Sequence, residues 1–218
     1  RAADAAFGHR LMRDRIVPGG VKADLAAGGA TALRALVEEV AGRFPELVDL
    51  YDNTASLQDR TVATGRLDPE LARRFGAGGH VGRASGRRFD ARRALPYAPY
   101  DRLAFDVPVF SEGDVNARVW VRIREVEQSL SLIARILDQM PEGPVRVEPA
   151  PAEGAREGVA MVESFRGDVL VWLRLGADGR VERCHLRDPS WFQWPLLEAV
   201  IENNIVADFP LCNKSFNC

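Results

Sequence analysis

A thiol and imidazole set is the first chemistry the residue types suggest. Cys184-His185, Cys212, Cys218 and His80 are the side chains able to ligate zinc or a softer transition metal. Structural zinc sites bring their ligands in closely spaced pairs, and no Cys-x-x-Cys or His-x-x-x-His pair occurs. Buried or unpaired thiols are the simpler reading for all three cysteines, so the expected metal content of the chain is none.

Phosphate chemistry fares no better. Gly76-Ala77-Gly78-Gly79-His80-Val81-Gly82 runs into Arg83-Ala84-Ser85-Gly86 without the Lys-Ser/Thr of a P-loop. Residues 71–93 hold seven arginines (Arg73, Arg74, Arg83, Arg87, Arg88, Arg92, Arg93) against a lone Asp90. Only Phe75 and Phe89 interrupt them, too few stacking aromatics for a nucleic-acid groove. Internal ion pairing or partner docking is the better reading. Arg166-Gly167-Asp168 reads as a tight turn. The three histidines (His9, His80, His185) and the lack of a Gly-x-Ser-x-Gly elbow support no nucleophilic triad, and no catalytic residue is assigned.

The elements that must carry these residues follow from periodicity. Helix is expected over 2–16, stopped by Pro18-Gly19-Gly20, and again from Gly29 to Tyr51. Leu33, Leu36, Val37, Val40 and Phe44 share a face of the second helix, and Pro45 should kink or restart it. Short helices are expected at 54–63 and after Asp68-Pro69. From Gly76 to Asp114, glycines and then Pro96, Pro99 and Pro108 leave no room for regular helix, so a long ordered loop is expected.

Asp114 caps the clearest element, a helix to Met140 whose seam is Val119, Ile123, Val126, Leu130, Ile133 and Leu137. Residues 148–158 read as a mobile linker. Period-two strands then follow at Val159–Phe165, Val169–Leu175 and Val181–Leu186, and a last helix opens at Asp188-Pro189 and runs to about Asn203. The fold class is α+β: a helical bundle with one long helix and an ordered loop at 76–113 within 1–147, then a small antiparallel sheet and closing helix within 148–218.

Composition sets the outer limits. The 218 residues are 46% hydrophobic and 28% charged, an ordinary globular mixture. A net charge of −2 excludes a general nucleic-acid binder, and no apolar run is long enough to span a bilayer. Three sparse cysteines suit a reducing cytoplasm rather than a disulfide scaffold. The chain starts at Arg1 and stops at Cys218 within motif-like sequence, and so reads as a piece of a longer protein.

One ordered series of motifs goes further. Pro18-Gly19-Gly20-Val21, Gln58-Asp59-Arg60-Thr61-Val62, Arg83-Ala84-Ser85-Gly86 and Asp90-x-Arg92-x-x-x-Pro96-Tyr97-x-x-Tyr100 appear in turn. Phe105-Asp106-Val107-Pro108, Gly113-Asp114-Val115-x-Ala117-Arg118, Glu127-Gln128-Ser129-Leu130 and Asp138–Pro144 complete it. The series resembles the large subunit of energy-converting nickel–iron hydrogenases (the hydrogenase-3 and hydrogenase-4 type) and the D subunit of complex I, the NADH-quinone oxidoreductase.

That resemblance implies the C-terminal half of a large subunit whose N-terminal half is missing. It implies a place in a membrane-associated complex for electron transfer, with NADH dehydrogenase, NAD binding and quinone binding among that complex's properties. A nickel–iron centre or a quinone would belong to the full-length protein, and a 4Fe-4S cluster to a partner. The partners implied are the iron–sulfur small subunit and other hydrogenase or complex I type subunits, with no nucleic acid and no direct membrane span. The place implied is cytoplasmic, peripheral on the inner face of the cell membrane.

Residue by residue, Pro18, Gly19 and Gly20 would set a chain reversal. Arg83, Asp90, Arg92, Asp101, Asp106, Asp114 and Arg118 would form a polar network fixing the loop to the bundle and docking the partner. Departures matter too. Asn217 and Cys218 stand where the hydrogenase metal motif has Asp and Pro, and Met12 stands where complex I relatives have histidine. The isolated chain is therefore expected to be inactive. A metal-free structural or assembly subunit is the alternative.

Overall fold

Asp114 starts one of the two longest helices described. Its Oδ1 accepts the Ala117 N–H at 2.7 Å, and helix α7 runs from Val115 to Asp138. The structure is a computed structural model describing residues 1–150 and 154–217. Ahead of α7 lie helix α1 (Ala2–Phe7), strands β1 (Ile16–Val17) and β2 (Gly20–Val21), and helix α2 (Gly29–Asp52). Helices α3 (Ala55–Thr61), α4 (Pro69–Arg74), α5 (Gly79–Ala84) and α6 (Ala91–Ala94) follow. After α7 come strands β3 (Arg156–Ser164), β4 (Gly167–Leu175) and β5 (Val181–Arg187), then helices α8 (Ser190–Val200) and α9 (Phe209–Phe216). The fold is α+β, as the sequence pattern predicts.

Several expected elements differ in extent. The helix over 2–16 ends at Phe7, because Gly8 adopts a left-handed cap at φ 69° whose N–H returns to Asp4. Pro45 sits inside α2 without ending it. The Ala41 carbonyl that it leaves unpaired lies on an exposed stretch where water can serve it. The 76–114 segment is not free of helix, since α5 and α6 lie within it; Asp90 caps α6 by accepting the Arg92 N–H. The last helix stops at Val200 and α9 is a further helix. The linker expected at 148–158 is already strand by Arg156, and its residues 151–153 lie outside those described.

The seam of α7 also shifts. Ile123 and Leu137 are buried as expected, but Val126 is 36% and Ile133 40% exposed, while Val121 and Leu132 are buried instead. The main core gathers Leu67, Val81, Leu196, Leu197, Val200 and Phe216, from α4 with its approach, α5, α8 and α9. A second cluster sets Ala84 against Ala117 and Val121. A third lays Leu103 and Phe105 of the loop on Leu132.

The sheet has the order β3-β4-β5, antiparallel throughout, with Val159 opposite Trp172 and Trp172 opposite His185. Pro18 and Gly19 turn β1 into β2, the expected reversal. A Cβ on Gly19, at φ +88°, would lie 1.8 Å from the Val147 oxygen. That close approach lets Val147 donate its N–H to the Gly19 carbonyl at 3.0 Å.

Candidate functional site

Two buried polar nodes hold the 76–114 segment. The first centres on Arg83, brought inward because α5 is glycine-rich. Gly79 has φ +60°, and a Cβ there would stand 2.1 Å from the Arg166 carbonyl in the β3–β4 turn. Glycine thus lets α5 lie directly against the hairpin. Arg83 Nη1 donates to the Phe89 carbonyl and to Glu163 Oε1, both at 2.9 Å. Its Nη2 pairs with Glu125 on α7, and Asp90 Oδ2 stands 3.6 Å from Nη1.

Arg92 closes the node. Its Nε and Nη2 donate to Asp90 Oδ1 and Oδ2 at 2.9 and 2.7 Å, a two-pronged pair. The guanidinium also lies 5.0 Å from the Phe105 ring centre and 5.5 Å from that of Tyr100. Burial works against the ionised Asp90, but the Arg92 fork and charge overcome it and hold that carboxyl below the usual range. Glu163 goes the other way: burial pushes it up, Arg83 opposes and Asp90 reinforces.

The second node is Asp114 with Arg118. Asp114 Oδ2 accepts the Ala63 N–H at 2.7 Å, tying the end of α3 to the start of α7. Arg118 is fully buried and meets carbonyls, not carboxylates. It donates to Gly113 O at 2.6 Å, Gly65 O at 2.8 Å and Ser215 Oγ at 2.9 Å, and lies over the Phe216 ring. Burial lowers its pKa to about 10. Arg118 is therefore a strut that seats α9.

Asp101 and Asp106 belong to neither node. Asp101 pairs, among the described residues, with its neighbour Arg102, at 3.7 Å. Asp106 is exposed; its backbone is clamped by Gln128, which accepts from its N–H at 2.8 Å and donates to its carbonyl at 2.7 Å. Sequence reasoning missed Glu125, Glu163 and Ser215, and weighed His80 only as a metal ligand. Glu163 had one signal, a carboxylate directly after the apolar run Val159-Ala160-Met161-Val162. His80 is buried on α5, within 3.0 Å of the Ser215 carbonyl through Nε2, and burial drives its pKa down to about 3.

The seven arginines of 71–93 do not form one stripe. Arg83 and Arg92 are internal, Arg87 donates to Ala77 O at 2.8 Å, and Arg73 pairs with Glu70 in solvent. The thiols do not converge either. Cys212 is buried in the main core, Cys184 is free and exposed on β5 rather than buried, and Cys218 lies outside the described residues. Among the described residues no three His, Cys, Asp or Glu side chains gather as metal ligands. These residues do not fit a nickel–iron thiolate cage.

Residues 1–156 match the family of the respiratory-chain NADH dehydrogenase 49 kDa subunit. The carbon monoxide-induced hydrogenase of Rhodospirillum rubrum is 34% identical over 98% of this chain and 60% of its own length. The NADH-quinone oxidoreductase D subunit of Syntrophobacter fumaroxidans is 34% identical over 94% of this chain and 56% of its own. Formate hydrogenlyase subunit 5 of Escherichia coli is 35% identical over 88% and 34% respectively. Among solved structures, a chain of the membrane-bound sulfane sulfur reductase, an archaeal respiratory membrane complex, superposes with a TM-score of 0.92 at 28% identity. That match covers the whole of this chain and 61% of the other. The chain thus spans about three fifths or less of these relatives.

Proposed function

This chain belongs to the respiratory-chain NADH dehydrogenase 49 kDa subunit family, and we propose that it forms the C-terminal part of the large subunit of a membrane-associated oxidoreductase. In this reading it is one wall of the active chamber, and the 76–114 segment docks an iron–sulfur subunit on the cytoplasmic face. No described helix is long and apolar enough to cross a membrane, so attachment would be peripheral. The observation that carries the reading is the Arg83–Asp90–Arg92–Glu163 node. It anchors a long segment by buried charge and leaves Asp106 displayed in solvent on a clamped backbone. A nickel–iron centre or a quinone would depend on the rest of the protein, and a 4Fe-4S cluster on the partner.

Capture of the iron–sulfur subunit tests this. Asp106→Ala and Arg92→Ala should retain less of it than the exposed control Arg43→Ala. Asp106→Ala is the cleaner probe, since the carboxylate makes no ion pair with a described residue. Equal retention by all three would defeat the docking assignment.

A metal-free structural subunit is the second reading, favoured by Asn217 and Cys218 at the positions of Asp and Pro in the hydrogenase motif. Nickel analysis and quinone-reductase assay of the full-length protein in its complex separate the two: stoichiometric nickel or quinone reduction supports the enzyme, and the absence of both supports the structural role.

A further inference from the structure

Five ionisable side chains meet where α5, α6, α7 and β3 converge. Arg83 comes from α5, Asp90 and Arg92 from the start of α6, Glu125 from α7 and Glu163 from β3. Two guanidinium groups face three carboxylates, an excess of one negative charge. The side chains of Arg83, Asp90 and Glu163 are only 2%, 1% and 4% exposed. Burying such an excess is costly unless a proton or a further cation relieves it.

Two neighbouring cations reach the cluster through charge at a distance, Arg87 towards Glu163 and Arg122 towards Glu125, but neither makes an ion pair with it among the described residues. Arg87, beyond α5, spends an N–H on the Ala77 carbonyl. Arg122 on α7 lies over the Phe165 ring at 4.6 Å and is half-buried. Tyr97 turns its hydroxyl to the Glu163 backbone N–H at 3.2 Å, not to the carboxylate.

A cavity of about 270 Å³ opens on the cluster, with Arg83, Arg122, Glu125 and Glu163 in its walls. Glu125, Glu163, Ser129 and Ser164 give its wall polar groups. A polar cavity of that size admits water, and these side chains give the water partners to hold it.

We propose that the Glu163 carboxylate is a proton-accepting site that exchanges its proton with solvent through this cavity. On uptake an O–H bond forms at a Glu163 oxygen as one breaks in a hydronium ion of the cavity water, and no electron moves. Arg83 links the two carboxylates that line the cavity, Glu163 through Nη1 and Glu125 through Nη2. Glu125, 22% exposed, is the one that solvent reaches more readily. Asp90 is not the acceptor, because the Arg92 fork keeps it ionised. The site stands independently of partner docking and needs no bound metal.

Infrared difference spectra of the full-length protein carrying isotope-labelled glutamate, taken between about pH 8 and about pH 5, test this. A carboxylic acid C=O band should grow above the usual glutamate range and be lost in Glu163→Gln, whose amide still accepts from Arg83. Asp90→Asn should move the midpoint down, because a like charge is removed. A labelled wild-type protein that shows no such band before the ordinary glutamates titrate overturns the proposal, as does a band that survives Glu163→Gln.

Discussion

Arg83 on α5 and Glu163 on β3 are 80 residues apart and share a hydrogen bond of 2.9 Å with both side chains nearly sealed from water. This pair ties the helical part of the chain to the sheet. Asp90 and Glu125 lean on the same guanidinium. Removing that cation leaves three carboxylates facing one another with Arg92 as the one directly paired cation among the described residues.

Arg83→Met should therefore destabilise the protein by about 3–5 kcal/mol, the usual cost of breaking a buried pair from one side. Glu163→Gln should cost less, since the amide keeps an acceptor for Arg83 and gives up only the bond that the other oxygen accepts from the Ala91 N–H. Urea unfolding of both variants checks the order; equal losses would mean that the pair is not the tie between helices and sheet.

Backbone geometry makes a second test with an internal control. Gly76 and Gly79 both have positive φ, but a Cβ on Gly76 meets open space and one on Gly79 meets the Arg166 carbonyl. Gly76→Ala should cost about 1–2 kcal/mol, the left-handed penalty alone. Gly79→Ala should cost more, because α5 must also move off the hairpin. Matching melting temperatures for the two variants would remove the close contact from the account.

How much of this was legible follows from the range of each interaction. The Asp114 cap, the Asp68 cap and the Pro18-Gly19 turn are written within a few residues of sequence, and each is present. The ordered motifs name Arg83, Asp90 and Arg92 in one network with Asp101, Asp106, Asp114 and Arg118, and in the structure these three stand together. Glu163 and Ser215 join their nodes only across 80 and 97 residues, a separation no local pattern encodes. Asp101 and Asp106 lie in motif-rich sequence yet stay outside the network, because the segment's backbone and apolar residues, not their carboxylates, seat it on α7.

The α7 seam departs from its periodicity for the same reason. Spacing gives the apolar stripe, but the core wraps α7 at Val121 and Leu132 and passes Val126 and Ile133 by. Leu132→Ala should cost about 2–5 kcal/mol, as a buried leucine does. Ile133→Ala should stay within about 1 kcal/mol, since part of that side chain is already in water. Denaturant midpoints decide it; a larger loss at Ile133 would show that this face is covered in the protein.

His80 should give the chain a specific weakness towards acid. Its folded pKa is near 3, chiefly through burial, against 6.5 for the free side chain. Above pH 6.5 both folded and unfolded states hold the imidazole neutral, and the group adds no pH dependence. Between 6.5 and 3 the unfolded chain binds a proton that the folded chain refuses, so stability falls as pH drops, by about 1.4 kcal/mol per unit. At pH 5 the loss is about 2 kcal/mol. Glu163, with its raised pKa, works in the opposite sense, since the folded state takes up its proton first and gains stability as pH falls. The two are separated by a variant: His80→Gln can still donate towards the Ser215 carbonyl but does not titrate. Relative to the wild type it should gain about 2 kcal/mol between pH 7 and pH 5 in chemical unfolding. Parallel pH profiles for the two proteins would mean that His80 is protonated in the folded state, with its buried Nδ1 paired to a group that accepts the proton's charge.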